Sequence, residues 1–187
     1  MTPHLLIEIM RWVIVGFFTL VLAIAAGSDV KDRRIPNWTV LAVILLFVGW
    51  AFVGPSISWT SAFEAAGIAF LLTVVLYLFK FIGAGDSKLF IAVSLFAGIG
   101  YLPLFAFATS SIGAAIAIVS LASRPTRALV MFNMRGKGIF GRGIPYGVAI
   151  AIAGVLIVFG ELRGILQPFE TFRHASLPAV TMIPPGS

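Results

Sequence analysis

The sequence predicts an all-α integral membrane protein with about six transmembrane helices, and three observations carry that reading. Of the 187 residues, 60% are hydrophobic and only 11% are charged, whereas a soluble domain covers its surface with roughly 25% charged residues. The mean hydropathy is +1.08, far above that of a soluble chain. Apolar runs also recur at membrane-crossing length, roughly 17 to 25 residues for a hydrocarbon core about 30 Å thick.

In order, the runs cover residues 13–26, 38–53, 62–79, 89–102, 104–121 and 144–160. The fourth is short, and Gly98, Gly100 and Pro103 crowd its end, so the fourth and fifth helices are expected to meet at a tight turn. The membrane body is assigned to residues 1–162 and a loosely ordered, proline-containing tail to 163–187. No soluble domain or internal repeat is visible. The segment between the fifth and sixth runs mixes arginines with Leu129, Val130, Met131, Phe132 and Met134, which fits either an interfacial amphipathic helix over anionic lipid or a plain basic loop.

Orientation follows from the basic residues, which accumulate on the cytoplasmic side of membrane proteins. Ten of the thirteen, Lys31, Arg33, Arg34, Lys80, Lys88, Arg124, Arg127, Arg135, Lys137 and Arg142, fall at one face. Arg11, Arg163 and Arg173 fall at the other, which places both termini outside the cytoplasm. The competing possibility is a cleaved signal peptide ending in "LAIAAGS", which would invert this pattern. The net charge of +6 lies between apolar runs rather than in a stripe, so nucleic acid is not an expected partner. With no cysteine and only His4 and His174, thiolate chemistry is excluded and neither a metal nor another cofactor is expected.

Seven acidic residues remain, and an ionisable group at membrane depth is costly enough to need a reason. Glu8, Glu161 and Glu170 lie outside the runs, and Glu64 fits the positive end of the third helix dipole. Asp32 sits beside Arg33 and Arg34, where pairing accounts for it. Asp29 closes the first run and Asp86 opens the fourth, which puts both at one cytoplasmic level although 57 positions separate them. Two nearby carboxylates cannot both ionise readily, so such a pair shares a proton. One member then deprotonates an attacking water while the other donates to the peptide carbonyl, with no metal or thiol needed. Around Asp86, Gly83 and Gly85 in "GAGDSKLF" offer positive φ and room for an extended chain. A helix break before an Asp N-cap explains the same residues, and on residues alone both readings stay open.

Taken together, the segments resemble a known family. "GAGDSKLF" resembles the Gly-x-Gly-Asp motif of intramembrane aspartic proteases, in the form found in type IV prepilin peptidases. "SDVKDRRIPNW" is similar to their first aspartate motif, with Asp29 followed seven residues later by Pro36 and Asn37, and with Arg34 between. "GRGIPYGVAIAIAG", containing Pro145, Tyr146 and Gly147, resembles the start of the last helix in the short Tad/Flp-type members. The resemblance covers about residues 12–162. It implies an endopeptidase of the bacterial inner membrane that removes the short basic leader of prepilin or pseudopilin precursors at the cytoplasmic face. Asp29 and Asp86 would be the catalytic pair, Gly83 and Gly85 would shape the second site, and Lys88 would hold nearby charge or a lipid phosphate. Larger members carry a cytoplasmic domain with paired cysteines and also methylate the new N-terminus; this sequence shows neither that domain nor any cysteine, so cleavage is the expected activity and methylation is in doubt. The alternative is a small transporter or channel using Asp29 and Asp86 to handle ions, although such groups usually sit at the bilayer midplane between repeats.

Overall fold

The computed structural model describes residues 3–54, 58–122 and 146–166. These form five helices: α1 (Pro3–Asp32), α2 (Asn37–Val53), α3 (Trp59–Leu78), α4 (Ala84–Ala122) and α5 (Tyr146–Leu162). Three stretches, His4–Asp32, Trp59–Leu78 and Ala84–Val119, are long and apolar enough to cross a membrane, while α2 and α5 are shorter apolar helices. No strand occurs among the described residues. The expected amphipathic segment and the tail from residue 167 onward lie outside them.

Helix ends follow hydrogen bonds rather than the edge of the apolar run. α1 continues six residues past the expected end at 26, so Asp29 is a helical residue on its last turns. Arg33 then takes a left-handed conformation with φ 53° while its N–H still donates to the Asp29 carbonyl at 3.1 Å. Extended Pro36 starts α2, where buried Thr39 donates its hydroxyl to the Pro36 carbonyl at 2.7 Å. α3 starts at Ser58, whose hydroxyl accepts the Ser61 N–H, a standard N-cap. Glu64 therefore lies beyond the first turn and is exposed, contrary to the helix-start role expected of it. α3 ends with Lys80 at φ 60° and bonds from Lys80 N to Tyr77 O and Phe81 N to Leu76 O, the Schellman pattern with lysine where glycine is usual.

The expected break in the fourth run is at Gly98 alone, with φ 58° and ψ 178°; Gly100 and Pro103 are helical. Phe90 and Phe105 stack with ring centroids 4.7 Å apart, although fifteen residues of continuous helix would separate them by about 22 Å. The two arms of α4 therefore run back alongside each other. The Ile99 N–H freed by the turn donates to Ser61 of α3 at 3.0 Å.

α4 is the centre of the bundle, packed by α2, α3 and α5, and α1 closes against α2 and α5. Leu89, Phe90, Ala92, Val93, Ser94, Leu95, Phe96 and Ala97 are all buried. Phe96 meets Phe18, Phe47 and Trp50 at centroid distances of 4.4, 5.6 and 6.2 Å. Lipid tails are as apolar as leucine, so helix association in a membrane depends on close packing and small residues. α5 supplies them: a Cβ at Gly154 would lie 2.7 Å from Val93 and 3.3 Å from Leu22. Outward-facing Phe52, Phe63, Leu71 and Phe107 are the surface such a fold presents to lipid.

Candidate active site

The last turns of α1, the turn from Arg33 to Pro36 and the first turn of α4 meet at one end of the bundle. Asp29 is buried there, with 5% of its surface exposed, and Asp86 lies within electrostatic reach of it. Between them α2 and α3 carry the chain away and back.

Asp29 is held from a distant part of the chain. The Gly147 N–H, in the first turn of α5, donates to Asp29 Oδ2 at 2.9 Å in a buried bond. Helix N-termini leave such amides unpaired and carry partial positive charge, so a carboxylate is their natural partner. The approach is so close that a Cβ on Gly147 would lie 2.9 Å from Asp29 Oδ2 and 3.0 Å from its Cβ. Glycine is the residue that fits.

Asp86 is the third residue of α4 rather than its N-cap, which corrects that alternative. Its carboxylate turns back over Gly83, where an added Cβ would lie 3.1 Å from Oδ2, and it takes a backbone hydrogen bond from Gly83. Neither Gly83 nor Gly85 has positive φ, against expectation. Their use is close approach: Gly83 makes room for the Asp86 carboxylate, and Gly85 faces Ile35, whose Cβ lies 3.4 Å from where a Cβ would stand. Ile35, in the turn after Asp29, thus already occupies the space beside Gly85.

Lys88 donates from Nζ to Asn37 Oδ1 at 3.3 Å. That bond ties the start of α2 to the first turns of α4 at the exposed rim of the site. Pro36 turns the chain into α2, Arg34 is exposed, Tyr146 precedes Gly147 in α5, and Pro145 lies outside the described residues. Arg33 was missed by sequence reasoning, which assigned it to Asp32; its charge acts on both Asp29 and Asp86. The left-handed turn that brings it there leaves no mark in residue type. No cluster suited to a metal ion occurs among the described residues.

An all-helical fold with membrane-length helices, holding two carboxylates together at one end, defines a membrane protein with a paired-aspartate site. The model of the type IV leader peptidase family matches residues 16–118, more than half of the chain and including both aspartates, and the chain belongs to that family. The match ends before Gly147. No curated protein and no solved structure matches the chain.

Proposed function

We propose that this chain is an aspartic endopeptidase that removes the short basic leader from Flp-type prepilins at the cytoplasmic face of the bacterial inner membrane. The observation that carries the reading is the convergence of Asp29 and Asp86 from opposite ends of a 57-position separation. The fold-back of α4 supports a six-crossing topology with both termini outside the cytoplasm, because it returns the chain to the level of the aspartates.

The chemistry needs one proton shared by two carboxylates. The ionised member takes a proton from water as the water oxygen attacks the peptide carbonyl carbon, and the protonated member donates to the carbonyl oxygen. Collapse of the tetrahedral intermediate breaks the C–N bond: the leaving amine takes up a proton from the carboxyl that accepted one, and a gem-diol hydroxyl returns its proton to the other carboxylate, restoring the shared proton. A substrate with a basic leader ahead of an apolar helix matches the setting: its helix stays in lipid while its leader reaches the polar rim.

Co-expression with a basic-leader, single-helix prepilin is expected to give the shortened product, and Asp29→Asn or Asp86→Asn to abolish it. Continued leader removal by either variant, at normal membrane levels, would defeat the assignment.

A further inference from the structure

We propose that Gly113, Tyr146 and Gly147 form a positioning relay that sets the Asp29 carboxylate from the N-terminus of α5. The relay presupposes that Asp29 belongs to the catalytic pair, and it adds a second determinant of that pair from outside the two aspartate motifs.

Gly147 touches Asp29 directly through the 2.9 Å hydrogen bond, and its missing Cβ lets the carboxylate lie against the helix backbone. What fixes Gly147 is its neighbour Tyr146. The Tyr146 ring packs against Gly113 in the second arm of α4, where a Cβ would stand 3.0 Å from Cε1, 3.4 Å from Cδ1 and 3.8 Å from the Ala149 Cβ. Two glycines on different elements thus set the first turn of α5 in position, one facing the ring of Tyr146 and the other facing Asp29. Any shift of the ring moves residue 147 and with it the amide that orients the carboxylate.

Misplacement of a reacting group by about 1 Å can cost on the order of 100-fold in rate even where substrate binding is untouched. The relay therefore acts on turnover and not on affinity. Elsewhere on α5, Gly154 is just as crowded, against Val93, but lies in the packed middle of the bundle away from Asp29. It serves as the comparator for a purely structural role.

The test uses the full-length protein in detergent or liposomes, with a basic-leader prepilin as substrate, and measures kcat and KM separately. Gly147→Ala is expected to lower kcat about 100-fold, and Gly113→Ala about tenfold, each with KM unchanged. Gly154→Ala lowers thermal stability but leaves kcat unchanged, and Gly16→Ala, which has nothing within 4 Å of its added methyl, matches wild type. In a Tyr146→Ala background, Gly113→Ala causes no further loss, because the ring it would displace is gone. This cycle decides the matter even if Gly147→Ala does not fold. Wild-type kcat in Gly113→Ala, its full additivity with Tyr146→Ala, or a loss confined to KM would overturn the relay. Should Asp29→Asn be inactive while the glycine variants turn over normally, the relay alone fails; should Asp29→Asn remain active, the catalytic reading fails beneath it.

Discussion

Helix α5 meets Asp29 at its first turn and carries Glu161 at its last, and the two acids are almost equally buried, with 5% and 6% of their surfaces exposed. Their surroundings differ. Asp29 shares its end of the bundle with a second carboxylate, Asp86, and with Gly83 and Gly147, so that backbone and carboxylate come into contact. Glu161 shares its end with the Tyr101 phenol, whose hydroxyl donates to the Leu166 carbonyl at 3.0 Å. Nearby, Arg163 lies 5.3 Å from the ring centres of Trp12 and Phe159, and Arg11 donates to the Val53 carbonyl. Burial alone does not distinguish a reactive acid. What separates the two ends is a partner acid and glycines that face the carboxylates themselves. Glu161 is expected to lie just outside the last apolar run, which ends at 160; α5 instead continues to Leu162 and buries the carboxylate.

The largest expected effect tests this contrast directly. Under the proposed function, Asp29→Asn and Asp86→Asn would each remove a proton-transfer group, which typically contributes about 10²–10⁴-fold to rate. Glu161→Gln keeps the shape of its site and is expected to leave leader cleavage unchanged, with its effect confined to stability. A cleavage assay on all three variants, normalised to folded protein in the membrane, checks the contrast. An inactive but folded Glu161→Gln would break it.

Between the two ends lies the aromatic hub, and it should matter equally to both. Phe96→Ala removes a fully buried ring that touches Phe18, Phe47 and Trp50. Large-to-small changes of this kind cost about 3–5 kcal/mol in water-soluble cores. Denaturant unfolding in detergent should show a loss of that order, while any protein still folded retains its KM.

Residue type made much of this legible and backbone geometry made the rest obscure. The apolar runs announced the helices because hydrocarbon demands them, yet α1 outran its oily stretch through Gly27, Ser28 and Asp29, since helix hydrogen bonds do not stop where hydropathy falls. The turn at Gly98 was visible because glycine tolerates its positive φ. Asp29 and Asp86 stood out because charge in such a chain needs a reason. The Gly147 amide was not legible as a donor, since a backbone N–H has no identity in sequence, and the match of "IPYG" to a family pattern marked the place without its contact. Arg33 and Lys80 occupy left-handed positions that no side-chain preference signals.

The glycines around Asp86 offer a sharper comparison within one turn. A methyl at Gly83 would stand 3.1 Å from the Asp86 carboxylate oxygen, whereas one at Gly85 would make ordinary contact with Ile35 at 3.4 Å. Gly83→Ala is therefore expected to lower kcat about tenfold through the carboxylate, a small misplacement compared with that at Gly147. Gly85→Ala should cleave normally, and Gly85→Val should lose activity because its branches meet Ile35. Equal losses in the two alanine variants would mean that the motif glycines serve the substrate rather than the carboxylate.

The smallest expected effect belongs to the rim. Lys88 and Asn37 join α4 to α2 through one exposed bond of 3.3 Å, so water competes for both partners. Exposed polar pairs of this kind couple by only a few tenths of a kcal/mol to about 1 kcal/mol. Lys88→Met and Asn37→Ala should each reduce cleavage by less than about fivefold, within the rate equivalent of 1 kcal/mol. The double variant should be no worse than the poorer single one, because each change removes the same bond. If instead Lys88→Met alone abolishes cleavage while Asn37→Ala does not, the ammonium acts on the substrate leader or on lipid phosphate rather than on Asn37. Vesicles with and without anionic lipid then separate those two roles, since only a phosphate contact makes the wild-type rate depend on the lipid charge.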